Sequence, residues 1–370
     1  MKYTHYTLAD LAKIKYGKNQ KKVLSELGNI PIYGTGGIMG YATDALYDKP
    51  SVLIGRKGTI NKVKYIEQPF WTVDTLFYTE VNENLVIPKF LYYVMSLLNL
   101  DNYNEGTTIP SLRTETLYRL EFDIPSLQDQ ERILSILKSL DDKIEVNSQI
   151  NKNLLEQVLL IYSSFFSKKP KNGSIGDYCT IKSGFAFKSS WWQESGVKVI
   201  KIGSINQDSL NISECSYVSI DKMQKASDFI VKGGDLLIAM TGATIGKFTM
   251  VPRINEIMLV NQRVGKFFLG NDPLLKLPFI YCVLKQPEII NEIINRGQGS
   301  AQPNISANDI MTIACHISDE KEIDTFNKTT SPIFEKIVTN QWENQMLSKL
   351  RDSLLPKLMS GELDVSEIEL

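Results

Sequence analysis

The chain has 370 residues, 43% of them hydrophobic, and a formal net charge of −1 at pH 7. This length allows two or three domains, and the lack of any run of about 18 apolar residues argues against a membrane span. Two histidines and four dispersed cysteines argue against a histidine-built metal site, a catalytic triad or a disulfide framework, and predict reduced thiols in a cytoplasmic protein.

Residues 1–125 are predicted to form a mixed α/β module with a cationic first half. Residues 1–64 contain 11 Lys or Arg and 4 Asp or Glu, a net charge of +7. The apolar run SVLIG (51–55) is short enough for a buried strand, and IPKFLYYVMSLLN (87–99) has helical length and spacing. The positive charge can face phosphate, although a solvated surface explains charge alone equally well.

Residues 126–173 are predicted to be a long spacer helix followed by a polar turn, SKKPKNGS (167–174). Apolar residues recur in the helix at alternating steps of four and three, which is the pattern of a coiled-coil seam. Asparagines occupy two central positions of this seam. The seam residues are Ile133, Leu137, Leu140, Ile144, Asn147, Asn151, Leu154, Val158, Ile161 and Phe165.

Residues 174–317 are predicted to form a second α/β module. DLLIAM (235–240) has the length of a buried strand, and LPFIYCVLKQPEIINEII (277–294) has helical spacing. Residues 318–370, with a net charge of −5, are predicted to be a distal spacer helix with a carboxyl-terminal tail. Its seam residues are Phe326, Thr330, Ile333, Ile337, Asn340, Asn344, Leu347, Arg351, Leu354 and Leu358.

The two spacer helices are predicted to pair antiparallel, because their asparagines occupy matching seam positions. In such a pair Asn147 should lie near Asn344, and Asn151 near Asn340. A polar residue inside a seam costs stability but fixes the register, so these four residues are predicted to set the register of the helix pair. Pro332 is predicted to begin a fresh helical segment, and Pro356 to end or kink the helix near its last turn.

The chain repeats itself in order, which indicates an internal duplication. The offset between matching segments grows from 167 to 193 residues, as insertions in the second copy require, and then stays constant through the helices. The predicted fold class is therefore α+β, with two mixed α/β modules separated by two long helices in an antiparallel coiled coil and an internal pseudo-twofold repeat. The matched segments are 8–17 with 175–184, 51–58 with 235–242, 90–94 with 279–283, 106–112 with 299–305, and 142–158 with 335–351.

Glycine-rich loops in both modules fail the tests for nucleotide binding. GTGGIMG (34–40) has Met39 where a dinucleotide-binding loop needs its third glycine, and TGATIGKF (241–248) has Phe248 where a P-loop needs a hydroxyl. Asp141 and Asp142 are adjacent carboxylates on a helix and are predicted to be solvated. No catalytic set is evident, so polymer binding is the better interpretation.

Corresponding loops of the two modules carry cations and hydrogen-bonding side chains that suit DNA. Lysines can contact phosphates, whereas Arg, Asn and Gln can bind base edges with two hydrogen bonds. For any single residue, a turn or surface role is the alternative. The candidate DNA-binding residues are Arg56, Lys57, Thr59, Asn61, Lys62, Thr107, Thr108 and Ser111 in the first module, and Lys182, Ser183, Lys188, Thr241, Thr244, Lys247, Gln298, Ser300, Gln302 and Asn304 in the second.

Four segments carry a family resemblance that extends over essentially the whole chain. Residues 123–166 and LRDSLLPKLMSGEL (350–363) resemble the helical regions of specificity subunits of type I restriction–modification systems. Residues 181–205 and GDLLIAMTGATIGK (234–247) resemble their target-recognition domains. The resemblance implies that each module reads half of a split sequence in double-stranded DNA and that the chain is non-catalytic.

The same resemblance implies the partners and cofactors. The helices are expected to dock two methyltransferase subunits, and restriction subunits are expected to join that core. S-adenosylmethionine is then expected on the methyltransferase subunits, and ATP and Mg²⁺ on the restriction subunits, so that this chain binds no cofactor.

Two alternatives remain open at this stage. The chain could be the specificity subunit of a fused restriction–methylation enzyme, which the neighbouring genes would reveal. It could also be a coiled-coil adaptor whose modules bind protein, and DNA binding with a steep salt dependence would argue against that function.

Overall fold

The computed structural model describes residues 1–298, 303–317 and 319–368. The chain divides into two compact units, Met1–Asp142 with Leu347–Leu370, and Lys143–Met346. Each long spacer helix therefore contributes one part to each unit. No helix in the described part of the chain is long and apolar enough to cross a membrane.

In the described part of the first unit, nine strands form three sheets. They are β1 (Tyr3–Thr7), β2 (Ala12–Tyr16), β3 (Ile30–Gly34), β4 (Gly37–Ala42), β5 (Ser51–Gly55), β6 (Val63–Ile66), β7 (Trp71–Thr72), β8 (Leu76–Val81) and β9 (Glu121–Pro125). A four-stranded antiparallel sheet has the order β2–β8–β5–β6, and a second sheet has the order β4–β3–β7, in which β3 and β7 are parallel. Strand β1 pairs with β9.

The helices of this unit are α1 (Leu8–Leu11), α2 (Pro88–Ser96), α3 (Thr114–Tyr118), the first part of α4 (Leu127–Phe166) and the last part of α10 (Glu320–Ser360). Strand β5 is the predicted buried run, and all five of its residues are buried. Helix α2 is the predicted helix, and it lies against β5 and β6. Its Phe90 and Leu91 are fully buried in the core that also receives Leu358 from the distal spacer helix.

The described residues of the second unit form twelve strands. They are β10 (Gly173–Ser174), β11 (Thr180–Ser183), β12 (Trp192–Gln193), β13 (Val197–Ile200), β14 (Ile205–Asn206), β15 (Ser209–Leu210), β16 (Ser216–Val218), β17 (Leu236–Ala239), β18 (Phe248–Met250), β19 (Met258–Val260), β20 (Val264–Phe268) and β21 (Ala314–Cys315). One antiparallel sheet has the order β11–β20–β17–β18, and another has the order β12–β16–β13–β19 with β13 and β19 parallel. The pairs β10–β21 and β14–β15 complete the strands.

The helices of the second unit are α5 (Ile175–Tyr178), α6 (Ile220–Met223), α7 (Leu277–Leu284), α8 (Pro287–Gly297), α9 (Ala307–Met311) and parts of α4 and of α10 (Glu320–Ser360). All eight residues of α7 are buried. Its core also includes Tyr162 and Phe166 from the end of α4.

The duplication predicted from the sequence is confirmed by the strand order. The sheet β2–β8–β5–β6 of the first unit corresponds strand for strand to β11–β20–β17–β18 of the second, and β4–β3–β7 corresponds to β16–β13–β19. The first turn is also shared, because Thr7 with Asp10, and Ser174 with Asp177, form equivalent capping boxes. Strands β12, β14 and β15 are additional in the second unit and lie where the offset between the copies grows.

The long helices pair antiparallel, as the seam predicts. Every predicted seam residue is buried or half-buried. In the second unit, Asn147 Nδ2 donates to Asn344 Oδ1 at 2.9 Å, and Asn340 Nδ2 donates to Asn151 Oδ1 at 2.8 Å. The expected proximity is therefore observed, while a role in setting the register stays a prediction.

Two expectations about these helices are wrong, because α10 is continuous from Glu320 to Ser360. Pro332 does not begin a fresh helical segment and Pro356 does not end the helix, while a kink at Pro356 stays a prediction. A proline removes one hydrogen bond of a helix, but burial of neighbours such as Phe334 and Leu355 favours continuation.

Asp141 is also not solvated. In the first unit its carboxylate accepts hydrogen bonds from Tyr93 Oη at 2.7 Å and from Arg351 Nη1 at 2.9 Å, whereas its neighbour Asp142 is exposed. Arg351 occupies a seam position that holds an apolar residue, Val158, in the first copy. The ion pair accounts for the charged residue at that position.

Candidate nucleic-acid interface

An equivalent turn leads into the second strand of the four-stranded sheet in each unit. We call these the β7–β8 turn (residues 73–76) and the β19–β20 turn (residues 261–264). Leu76 N donates to Val73 O at 3.0 Å, and Val264 N donates to Asn261 O at 2.9 Å, which closes both turns in the same way.

The surrounding hydrogen bonds also correspond. Gly17 N donates to Leu76 O at 3.0 Å in the first unit, and Gly184 N donates to Val264 O at 2.9 Å in the second. A Cβ at Gly17 would lie 2.0 Å from Val73 O, and one at Gly184 would lie 2.4 Å from Val260 O. Only glycine lets the strand end approach each turn this closely.

In the second unit, three predicted DNA-binding residues come together beside this turn. The residues that line the resulting concavity, of about 440 Å³, are Ser183, Thr241, Gln262, Arg263, Pro303 and Asn304. Thr241 and Asn304 form an isolated β-bridge, and Gly242 N donates to Pro303 O at 2.8 Å. The Thr241 hydroxyl is buried and has no hydrogen-bond partner among the described residues.

The first unit gathers predicted residues at the corresponding place. Lys57 and Ser111 form the bridge that matches Thr241 and Asn304. The Arg56 guanidinium donates to Asp74 O at 3.0 Å and lies 5.0 Å from the centre of the Tyr16 ring. These two contacts hold the arginine against the β7–β8 turn, while Lys57 is exposed.

The other candidates of the first unit lie in two exposed loops. Asn61 Nδ2 donates to Asp101 Oδ2 at 3.2 Å, and Thr59 and Lys62 are exposed in the same loop. Thr107 and Thr108 are exposed in a loop that the Asn104 side chain shapes by accepting hydrogen bonds from two backbone N–H groups.

The remaining candidates of the second unit are more dispersed. Thr244 donates its hydroxyl to Thr241 O at 3.2 Å, and Lys247 is exposed in the same loop. Lys182 Nζ lies 5.0 Å from the Phe268 ring centre, and Gln298 is exposed just after α8. Ser300 and Gln302 lie outside the described residues.

A lysine-rich aromatic surface adjoins the β19–β20 turn. The Trp191 ring has the amines of Lys188, Lys222 and Lys225 within 5.9, 5.4 and 5.4 Å of its centre. Phe185 stacks on Trp191 at 6.1 Å, and Phe185 O accepts a hydrogen bond from Gln262 N at 3.0 Å. Of these lysines only Lys188 was predicted, although the pair of tryptophans in SSWWQ (189–193) is a signal for such a surface.

Sequence reasoning also missed the side chains of the two turns. They are Asp74 and Thr75 in the first unit, and Gln262 and Arg263 in the second. The signal that could have found Gln262 and Arg263 is a polar NQR directly before a buried strand, at the edge of a module already suspected of binding DNA.

None of the described residues forms a group of three or more His, Cys, Asp or Glu that could hold a metal ion. All four cysteines are buried and unpaired with one another. Burial raises the pKa of the Cys179 and Cys315 thiols to about 12.

Comparison with known proteins gives one family. The sequence profile of the family described as "Type I restriction modification DNA specificity domain" matches residues 2–156 and 168–348. The type I restriction enzyme MjaIX specificity subunit of Methanocaldococcus jannaschii is 24% identical over 359 residues, which cover 87% of this chain and 80% of that protein. The HindI specificity subunit of Haemophilus influenzae is 22% identical over 375 residues, which cover 79% of this chain and 81% of that protein.

Among solved structures, the S subunit of a type I restriction-modification system from M. genitalium has a similar fold. The TM-score is 0.60 at 17% sequence identity, and the match covers 99% of this chain and 97% of the other. At this identity the similarity concerns the fold alone.

Proposed function

The chain belongs to the family of type I restriction–modification DNA specificity subunits, and from this premise we propose that it reads a bipartite target in double-stranded DNA. The observation that carries the proposal is the repeated site. Each unit has the same sheet order and the same closed turn, surrounded by hydrogen-bonding side chains. Two similar readers in one chain suit a target made of two half-sites.

The chemistry of the two sites supports contact with DNA. Exposed lysines such as Lys57 and Lys188 can contact phosphates, and exposed Asn304 can bind a base edge. The two units differ in the residues they present at equivalent positions, for instance Lys57 and Thr241. The half-sites are therefore expected to differ in sequence.

The helices are the proposed docking surface for the methyltransferase subunits. Val146, Ile150 and Leu160 are 52%, 38% and 72% exposed, and their spacing places them on one face of α4. A row of exposed apolar residues on a helix is typical of a protein-binding surface. We propose two methyltransferase subunits, joined by restriction subunits, in the cytoplasm.

The proposal assigns the chemistry to the partners. S-adenosylmethionine is then expected on the methyltransferase subunits, and ATP and Mg²⁺ on the restriction subunits, with this chain acting as a non-catalytic reader. A specificity subunit of a fused restriction–methylation enzyme would have the same binding role, and only the partner would differ.

An exchange of modules tests the proposal. Residues 174–317 are replaced by the corresponding segment of another specificity subunit, and methylated positions are mapped genome-wide in a host that carries the complex. One half of the target is expected to change while the other is preserved. A change in both halves, or in neither, would refute independent reading by two modules.

A further inference from the structure

We infer that the β19–β20 turn reads a base pair through Gln262 and Arg263, and that the β7–β8 turn reads the equivalent base pair of the other half-site through Asp74 and Thr75. The inference rests on the proposed function and names the residues that determine specificity within it. It follows from the structural equivalence of the two turns, from their side chains and from the concavity beside one of them.

The side chains of Gln262 and Arg263 are available for a ligand. Both residues are exposed, and neither side chain makes a hydrogen bond or an ion pair with another described residue. The other two arginines of the second unit differ in this respect, because Arg253 pairs with Glu335 and Arg296 pairs with Glu292. Arg263 is therefore an exposed cation whose planar donor group is not used by the fold.

The backbone that carries these side chains is held from several sides. Asn261 N donates to Ile200 O at 3.0 Å, and Gln262 N donates to Phe185 O at 3.0 Å. Arg263 O accepts a hydrogen bond from Met240 N at 3.0 Å. A side chain on a fixed backbone loses less conformational entropy on binding than one on a mobile loop, which suits a residue that must discriminate between bases.

The chemistry of the two turns differs in a way that predicts different bases. Arginine binds guanine O6 and N7 with two hydrogen bonds, and glutamine binds adenine N6 and N7 in the same manner. The second half-site is therefore expected to require a purine at the base pair that the β19–β20 turn reads. Aspartate accepts a hydrogen bond from the cytosine amino group, so Asp74 favours cytosine on the strand that it contacts.

The neighbouring groups suit the same geometry. Thr241 and the exposed Asn304 line the concavity beside Arg263, so the Asn304 side chain is a polar group next to the turn that is available to the same base pair or the next one. The lysines around Trp191 adjoin the turn through Phe185 and can contact phosphates. Base reading and phosphate contact are thus assigned to different residues, which separate variants can distinguish.

The test uses the complete complex with its methyltransferase subunits and a randomised duplex library. The variants are Gln262→Ala, Arg263→Ala and Arg263→Lys. Arg263→Lys keeps the positive charge but loses the two-donor fork, so it should keep the salt dependence of binding and relax the preference at one position of the second half-site. Arg263→Ala should relax the same position, by about 5- to 150-fold in discrimination.

Lys168→Ala is the matched control, because it removes an exposed cation of the same unit that lies outside both the turn and the lysine cluster around Trp191. It is expected to leave every base preference unchanged. Asp74→Ala should relax one position of the first half-site only. The double variant Asp74→Gln with Thr75→Arg should shift that position towards the base that the second unit prefers.

Unchanged preferences in Gln262→Ala, Arg263→Ala and Arg263→Lys, in a complex that assembles and binds its target, would overturn the inference. Uniform weakening at all positions by Arg263→Lys would do the same, because it would place Arg263 on the phosphate backbone. The proposed function fails separately, if the unsubstituted complex selects no sequence from the library.

Discussion

Four asparagine side chains lie inside the helix seam and bind one another across it. Asn344 Nδ2 also donates to Ile144 O at 3.2 Å, and Asn147 Nδ2 also donates to Glu343 Oε2 at 2.8 Å. Asn340 Oδ1 is buried and has no hydrogen-bond partner among the described residues. Such an unsatisfied acceptor costs about 1–3 kcal/mol, so the seam is less stable than an apolar one would be.

Leucine at all four positions is therefore expected to raise the free energy of unfolding and to loosen the register. An apolar seam gains buried surface, but it also loses the pairings that distinguish the native alignment from one shifted by a heptad. Urea unfolding measures the first effect. Cysteine pairs introduced across the native register measure the second, because they should cross-link less completely in the leucine variant. Complete native cross-linking would show that the asparagines do not set the register.

Asp141 provides a second prediction at the scale of single residues. Its carboxylate binds both Tyr93 and Arg351, and burial followed by this hydrogen bond raises the pKa of Tyr93. Asp141→Ala leaves a phenol and a guanidinium without that partner and should destabilise the first unit by about 1–3 kcal/mol in urea unfolding.

The adjacent Asp142 is exposed and supplies the control. Asp142→Ala should change the stability by less than about 0.5 kcal/mol, as is usual for an exposed surface position. Equal effects of the two substitutions would show that the hydrogen bonds of Asp141 contribute nothing specific.

At the scale of elements, the cations in the loop of residues 56–62 differ from one another in how firmly the fold holds them. Arg56 is fixed against Tyr16 and the backbone of Asp74, whereas Lys57 and Lys62 are exposed. Replacing all three by alanine is expected to weaken DNA binding. It should flatten the plot of log affinity against log salt by up to about 0.9 for each lost phosphate contact.

Binding of the complex to its target duplex over a range of salt concentrations measures this slope. Lys138→Ala, at an exposed position of α4, is the control and should leave the slope unchanged. An unaltered slope in the triple variant would place the loop away from the DNA backbone.

The elements also explain which parts of the fold were predictable. DLLIAM is long and apolar enough to identify β17, IPKFLYYVMSLLN has the length and spacing that identify α2, and the repeated segments identify the duplication. Strands of two residues, such as β7 and β12, have no periodicity to detect. The continuity of α10 through Pro332 depends on tertiary burial, which local propensity does not contain.

Less of the candidate site than of the fold could be predicted, because part of the site is assembled by tertiary contacts. Lys57, Ser111, Thr241 and Asn304 were found because they occupy matched positions in the repeat. Gln262 and Arg263 join them only through the hydrogen bonds that bring β11, β17 and the β19–β20 turn together. These hydrogen bonds join residues that are far apart in the sequence, so no local pattern indicates them.

At the scale of the whole molecule, the two long helices connect two readers, and under the proposed function their length should set the gap between the half-sites. An α-helix rises about 1.5 Å per residue and turns about 100°. Four added residues lengthen it by about 6 Å and keep the apolar face nearly in phase. DNA rises about 3.4 Å per base pair, so this length corresponds to one or two base pairs.

The hydrophobic cores of the two units determine where residues can be inserted without disturbing the packing. Tyr162 and Phe166 are buried in the second unit, so an insertion near Ser163 would disturb its packing. Insertions after Asp142 and after Met346 fall between the two compact units along the chain and leave the sequence of each unit intact.

Four residues inserted at both positions should lengthen the tolerated gap by one or two base pairs and leave both half-site sequences unchanged. Two residues inserted at both positions would rotate the seam by about half a turn, so the apolar face of each helix would no longer face the other helix. This change should abolish assembly or binding. Mapping of methylated positions decides the first outcome, and co-purification with the methyltransferase subunits decides the second. An unaltered gap in a four-residue variant that still methylates would mean that these helices do not determine the spacing.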